Sequence, residues 1–373
     1  NEIGSNHANG IELVGSHHIT ITHNVIKDNV NDGILIRQPD EDNLSSPNYI
    51  YSNDFNNEVY NLEVEAGIDV IDAERNWWAI DAEFGENGFS EKLLGNIDYS
   101  PWCINEFCTS MAIRNLNLDT FYSSIQAAVF EAEDGNSIAI EAGIYVENVF
   151  ITKLIEIGGS GEGDTFILTQ DPGPVCTEPS SDRICPGAFS IFLVESDGVY
   201  IHDLTVDGDN PDINNGYTIG GANIDTRNGI IANYPIGQYD IRVERVTAKN
   251  FYMTGIYSNG TGSVFTDVTV QNVQGDATLA LGIGGNVAEI SDNTITHTTI
   301  AIGLESDENV LVDHNTISDA KAGILSLNSC GGASCGAGEQ ITNNIISACR
   351  ASGFGIVISS NHGAVNVANN QVS

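Results

Sequence analysis

Apolar and polar residues alternate along this chain in short bursts, and the bursts recur. ITITHNVIKDNVNDGILI (Ile19 to Ile36) has the same layout as AEISDNTITHTTIAIGLE (Ala288 to Glu305), VLVDHNTISDAKAGILSL (Val310 to Leu327) and QITNNIISACRASGFGIVIS (Gln340 to Ser359). Each holds two short alternating strands, an Asn at the bend between them and a Gly opening the next strand. Aligning the bends gives Asn24, Asn293, Asn315, Asn344 and Asn370, with successive spacings of 22, 29 and 26 residues over the last four. Such a period is too short for helix-pair repeats and fits one turn of a parallel β-helix, an all-β solenoid. Turns then stack about 4.8 Å apart, with Ile, Val and Leu facing inward. An Asn repeated at the bend tolerates a left-handed conformation and bonds to its copy one turn away.

One stretch departs from the strand pattern. In SSIQAAVFEAEDGNSIAIEAGIYVENVFITK (Ser123 to Lys153), Ile125, Ala128, Val129 and Ala132 share one face of a short amphipathic helix, followed by an Asp-Gly turn and new strands. A helix there covers the open end of a coil, which is otherwise an unpaired edge and an aggregation hazard. Trp77, Trp78 and Trp102 are placed to plug the exposed end of an earlier coil. The expected organisation is two β-helical segments in tandem: residues 1–103 as the last coils and cap of the first, 104–122 as a linker, and 123–373 as the second.

These motifs resemble the pectin-lyase-like right-handed parallel β-helix superfamily, in its surface-protein branch of generic repeats. AERNWWAID…GNIDYSPWC (Ala73 to Cys103) resembles the segment that closes such a helix, with Ala79 where a Gly usually follows the paired tryptophans. SIQAAV…DGNSIAIEAGIYVENVFI (Ser124 to Ile151) resembles the opening of the next. The superfamily hosts lyases, hydrolases, esterases, epimerases and inert stalks, so the resemblance implies the fold and leaves activity open. NVLVDHNTIS (Asn309 to Ser318) resembles the Asp-His coil of pectate lyases without their Arg-x-Pro-x-x-Arg segment. GIYVEN (Gly143 to Asn148) matches the opening of pectin methylesterases without their catalytic Asp-Phe-Ile-Phe-Gly and Gln-Asp segments.

Charge narrows the partners. Fifty-one acidic against 13 basic side chains give a formal net charge of −38, which repels nucleic acid and anionic membranes. No apolar run is long enough to cross a bilayer. Seven cysteines fall mostly in close pairs, Cys103 with Cys108, Cys176 with Cys185 and Cys330 with Cys335, leaving Cys349. Local pairs of this kind point to disulfides and an extracellular or cell-surface location; buried thiols, or zinc on Cys330, Cys335 and Cys349, are the alternatives. In DGDNPDINNG, Asp207, Asp209 and Asp212 offer hard oxygen ligands to Ca²⁺, or form a solvated acidic turn. PDEDN (Pro39 to Asn43) has the same ambiguity. Among His17, His18 and His23, the last occupies a repeat position shared with His314, which favours a structural role at the turn.

The expected function is an extracellular structural β-helix, a fibre, stalk or adhesin module. The alternative is a polysaccharide-binding or polysaccharide-cleaving β-helix, a lyase or hydrolase, and the sequence leaves open whether the chain is an enzyme. Asn1 and Ser373 both fall inside coil-like sequence, and reading Ser373 into Asn1 spaces Asn370 from Asn24 by 27 residues. Copies are therefore expected head to tail, the C-terminal coil of one against the N-terminal coil of the next, as separate subunits or as pieces of a longer chain.

Overall fold

A computed structural model describes residues 1–16, 18–38, 48–79, 87–170, 190–213, 217–219, 222–232, 236–273, 279–305, 308–327, 337–347, 349–350, 352–359 and 363–373. The expected Cys176–Cys185 and Cys330–Cys335 pairs, His17 and the stretch from Pro39 to Asn43 lie outside them. The chain parts into two compact units, Asn1–Arg114 with Asp119–Ala127, and Asn115–Leu118 with Ala128–Ser373. No helix among the described residues is long and apolar enough to cross a membrane.

The first unit is a coil with three parallel faces. Glu2–Gly4, Val25–Lys27 and Asp54–Asn56 stack as one sheet, and Ile11–Val14, Ile34–Arg37, Leu62–Val64 and Leu93–Leu94 as another. Thr20–Thr22, Tyr49–Tyr51, Ile71–Asp72 and Ile97–Asp98 form the third. Because side chains alternate along each strand, Ile26, Ile34, Ile36, Ile50 and Phe55 all point into one core and are at most 2 % exposed. Each such side chain contributes roughly 1.5–3 kcal/mol by leaving water.

The expected cap is aromatic. Trp78 is buried and stacks on Phe55 with ring centroids 4.7 Å apart. Phe89 stacks on Tyr99 at 4.5 Å and meets Trp102 edge-on at 4.7 Å. Trp77 is only half-buried, and its carbonyl accepts the Phe55 N–H at 2.8 Å, so its backbone extends the ladder. Ala79 takes the left-handed conformation, φ 51°, that the Gly usual at this place adopts freely; for Ala this costs about 1 kcal/mol. The disulfide Cys103–Cys108 forms as expected around the turn Glu106–Cys108.

In the expected capping helix, Ile125–Glu131, the Ser124 Oγ accepts the Ala127 N–H at 3.0 Å as an N-cap. Ile125, Ala128, Val129 and the following Ala132 are all buried, as the periodicity predicts. Lys153 Nζ donates to the carbonyls of Phe130 and Ala132 at the C-terminal end, where the helix dipole favours a cation.

The second unit repeats the coil over many turns. Ile138, Ile157, Ile201, Val243, Phe265, Ile290, Val312 and Ile341 are register partners from turn to turn and form one inward column, each at most 1 % exposed. The Asn ladder runs beside it. Nδ2 of Asn293, Asn315 and Asn344 each donates to the Oδ1 of the next rung, Asn315, Asn344 and Asn370, at 2.9 Å.

The expectation that the ladder Asn itself is left-handed is corrected. The positive-φ residue is the one before it: Asp292 (58°), His314 (55°), Asn343 (56°) and Asn369 (58°). That residue turns the corner, and the turn swings the next side chain inward, where an amide buried among carbonyls must be fully bonded. Earlier turns use the same corner, at Asp203, Arg245 and Asp267, but place Leu204, Val246 and Val268 inward. His23 in the first unit has φ 56° and precedes Asn24, so His23 and His314 are both exposed corner residues.

Candidate functional site

The densest polar cluster lies on the outer face of the second unit. Strand Val199–Asp207 pairs with Ile155–Gly158 on one side and Ile241–Phe251 on the other. Its inward residues are buried, so Tyr200 and His202 face outward. The imidazole reaches over the preceding turn, and a Cβ at Gly158 would sit 2.6 Å from His202 Cε1, so a larger residue there would push the ring aside.

From His202 a chain of bonds runs both ways across the turns. Nε2 meets Glu156 Oε1 at 3.0 Å, and Glu156 Oε2 accepts Ser137 Oγ at 2.9 Å. Nδ1 meets Asp203 Oδ2 at 2.6 Å, and Asp203 accepts the Arg245 fork at 2.7 and 2.9 Å. Arg245 also donates to Glu244 at 2.5 Å, and Glu244 accepts Tyr200 Oη and Arg242 Nη2, both at 2.7 Å. Tyr200 stacks on His202 at 4.4 Å and carries the Arg242 guanidinium over its ring at 4.8 Å.

The electrostatics follow from these contacts. Hydrogen bonds from Arg245, and then His202, hold Asp203 at about 2. The Tyr200 hydroxyl and the two arginines lower Glu244, while burial and Glu244 raise Tyr200. Glu162, beside the network, is raised by burial despite the Thr247 Oγ1 bond to its carboxylate at 2.9 Å. Both His202 nitrogens and both outer carboxylates are engaged within the protein, so the arrangement braces neighbouring turns. Burial makes Glu162 hold its proton more tightly than an ordinary glutamate.

The aspartates expected to bind calcium have different surroundings. Asp207 is buried, with Lys249 Nζ 3.0 Å from Oδ2 and Asn250 Nδ2 2.7 Å from Oδ1. The Asp209 N–H also donates to Asp207 Oδ1 at 3.0 Å. Asp212 is exposed, and its N–H donates to Asn210 Oδ1 at 3.0 Å. Asp225 comes close to Asp207 and Asp209: burial raises its pKa, with those two carboxylates adding to the effect. Its Oδ2 accepts the Asn210 N–H at 2.9 Å. Asp225 follows the strand Ala222–Ile224, and nothing in the local sequence flags it. Among the described residues no group of three His, Cys, Asp or Glu side chains is arranged to hold a metal ion.

Residues 228–373 match the family described as right handed beta helix region. The fold is a right-handed parallel β-helix. Solved structures similar to this chain include pectin methylesterase PemA from Erwinia chrysanthemi, 14 % identical over 66 % of this chain and 77 % of that one, with a TM-score of 0.36. The mannuronan C-5 epimerase AlgE4 A-module of Azotobacter vinelandii is 13 % identical over 66 % of this chain and 90 % of that one, at 0.28. The AlgE6 A-module of the same organism is 8 % identical over 100 % of this chain and 88 % of that one, at 0.31. None of the curated proteins matches the sequence.

Proposed function

We propose that the chain is a structural β-helix module of an extracellular fibre, stalk or adhesin. The observation that carries this reading is the bonded network from Ser137 through Glu156, His202, Asp203, Arg245 and Glu244 to Arg242. A catalytic acid or base keeps a lone pair or proton free for its substrate. Here the outward groups bond one another across turns, as the Asn ladders do inside. Copies of the chain stacking coil on coil, C-terminal against N-terminal, belong to the same proposal; such a contact does not close and so builds a fibre.

The test is incubation with a panel of neutral and acidic polysaccharides, Ca²⁺ supplied, with product size measured over time. The structural reading expects no chain shortening. Reproducible cleavage, abolished in Glu162→Gln or His202→Ala, would overturn it in favour of a polysaccharide-cleaving enzyme. Electron microscopy of native material tests the stacking, with filaments expected and isolated single copies counting against it.

A further inference from the structure

On the face of the second unit that follows the ladder corner, the outward positions repeat by residue type. Strands Thr269–Val273, Thr294–Glu305 and Thr316–Leu327 run in parallel register. That register aligns Thr269, Thr294 and Thr316 in one column and Gln271, Thr296 and Ser318 in a second. Val270, Ile295 and Ile317 between the columns are fully buried, so both columns point away from the core. The first column begins two turns earlier, with Thr205 and Thr247 in register with Thr269. Those two hydroxyls donate to the carbonyl and the carboxylate of Glu162 at 2.6 and 2.9 Å, so the stretch around Glu162 lies over them. From Thr269 onward the face opens, and Thr294 and Thr316 are exposed.

Strand propensity favours Thr at an exposed position, but it does not make a column. The neighbouring face of the same turns is the comparison. Its outward positions Val264, Glu289, Leu311 and Gln340 are likewise in register, and no two are alike. The Thr column is therefore a property of one face. Its six open side chains form a grid, about 4.8 Å apart between turns and about 6.6 Å apart along a strand. Ser318 Oγ donates to Thr296 Oγ1 at 3.0 Å, which keeps the second column's hydroxyls in line. None of the six is charged, in a chain with 51 acidic side chains, and none is aromatic.

A small solute uses one or two rungs of such a grid. A partner that is itself periodic in two directions uses all of them, and many weak contacts then act together. Without charge, the water on the grid is ordered by hydroxyls and methyls alone, and the rectangular repeat is close to that of the oxygens on a prism face of hexagonal ice. Crystalline polysaccharide is the other uncharged periodic surface, and it is held by stacking on flat rings, which the grid lacks. We propose that the face bearing Thr269, Thr294 and Thr316 binds the surface of ice crystals. This holds or fails independently of the structural reading.

The experiment is nanolitre osmometry of the whole chain, in which a single ice crystal is cooled in the protein solution and the gap between melting and growth is recorded. Faceted crystals and a gap that widens with protein concentration are expected. Thr294→Lys with Thr316→Lys puts two long charged side chains on the grid and should abolish the gap. Gln340→Lys on the neighbouring face should leave it unchanged, and circular dichroism checks that each variant is folded. Thr294→Ser with Thr316→Ser keeps the hydroxyls and removes two methyls; it should narrow the gap, and it decides the matter if the lysine pair does not fold. A native chain that neither facets ice nor opens a gap overturns the proposal, as does an undiminished gap in the folded lysine pair or in the serine pair. Cosedimentation with crystalline cellulose or chitin, without any effect on ice, also overturns it and gives the face to a polysaccharide surface.

Discussion

Truncating Asn315 to Ala tests whether the amide ladder stabilises the second unit or only decorates it. Asn315 is fully buried. Its Oδ1 accepts the N–H and the Nδ2 of Asn293 at 3.1 and 2.9 Å. Its own Nδ2 donates to the carbonyls of Ile290 and Asp313 at 2.9 and 3.1 Å, and to Asn344 Oδ1 at 2.9 Å. Three well-formed amide bonds are worth about 1 kcal/mol each, and the orphaned Asn293 N–H costs about 1–3 kcal/mol more where water cannot reach it. The expected loss is therefore about 4–6 kcal/mol. Asn370→Ala removes a similar set of bonds, with Asn344 N and Nδ2 at 2.9 Å and the Ile341 carbonyl at 2.8 Å, from a half-buried position. Water replaces those bonds, so about 1 kcal/mol is expected. Urea unfolding followed by far-UV circular dichroism measures both, provided the slope with denaturant stays constant. Replacing Asn293, Asn315 and Asn344 together by Val leaves the N–H groups of Val268, Asn293 and Asn315 without their acceptors, so it should cost about as much per position as the single truncation. If Asn315→Ala costs no more than Asn370→Ala, the ladder is not a source of stability and the reasoning fails.

Other outcomes are expected. Opening Cys103–Cys108 in a double Ser variant should cost about 2 kcal/mol by loss of a short closed loop; non-reducing peptide mapping that finds both thiols free in the native chain refutes the pairing. Burial raises Glu63, Glu74, Glu162, Asp225 and Asp240, so the folded chain holds those protons more tightly than the unfolded one. Their strain is relieved as pH falls from neutrality into the range just above the ordinary carboxylate values, and melting temperature should rise there. Asp203, Glu244, Asp313 and Asp319 are lowered, so their contribution is present above the unfolded values and is lost as pH falls through their folded ones, at about 2 for Asp203. Melting curves at fixed ionic strength should thus pass through a maximum in mild acid; a steady decline from pH 7 downward contradicts the assignment. With a net charge of −38, NaCl should raise the melting temperature by screening. A further rise that only millimolar Ca²⁺ produces would single out a discrete site near Asp207 and Asp209, and no response to either cation would exclude both effects.

The coil was legible because its signal is periodic and local: the inward column, the buried helix face at Ile125, Ala128 and Val129, and the rungs at Asn293, Asn315 and Asn344 all follow from spacing. The first unit's ladders were missed beyond Asn24. Asn24 bonds Asn53, which bonds Asn76, while a second series runs Asn6, Asn29, Asn57 and Asn61. Alternation cannot separate an inward amide from the polar corner residue before it, and the same ambiguity hid which of the two is left-handed. The outer network was invisible for a different reason. Glu156 and His202 lie 46 residues apart, and Glu162 and Thr247 lie 85 apart, so their meeting depends on how many residues each loop inserts between rungs.

The unequal rungs have a consequence for how such a chain changes over generations. Rungs separated by 22, 29 and 26 residues still bond at the same 2.9 Å, because the strands on either side of each rung keep their register whatever the length between them. The fold therefore counts turns rather than residues. A whole turn can be duplicated or deleted and every column closes again, with new sequence free to vary at a corner. A single residue inserted within a strand instead reverses inside and outside for the rest of that strand. Heritable length variation in this protein should accordingly come in corner insertions and whole-turn steps, with the strand interiors holding their length.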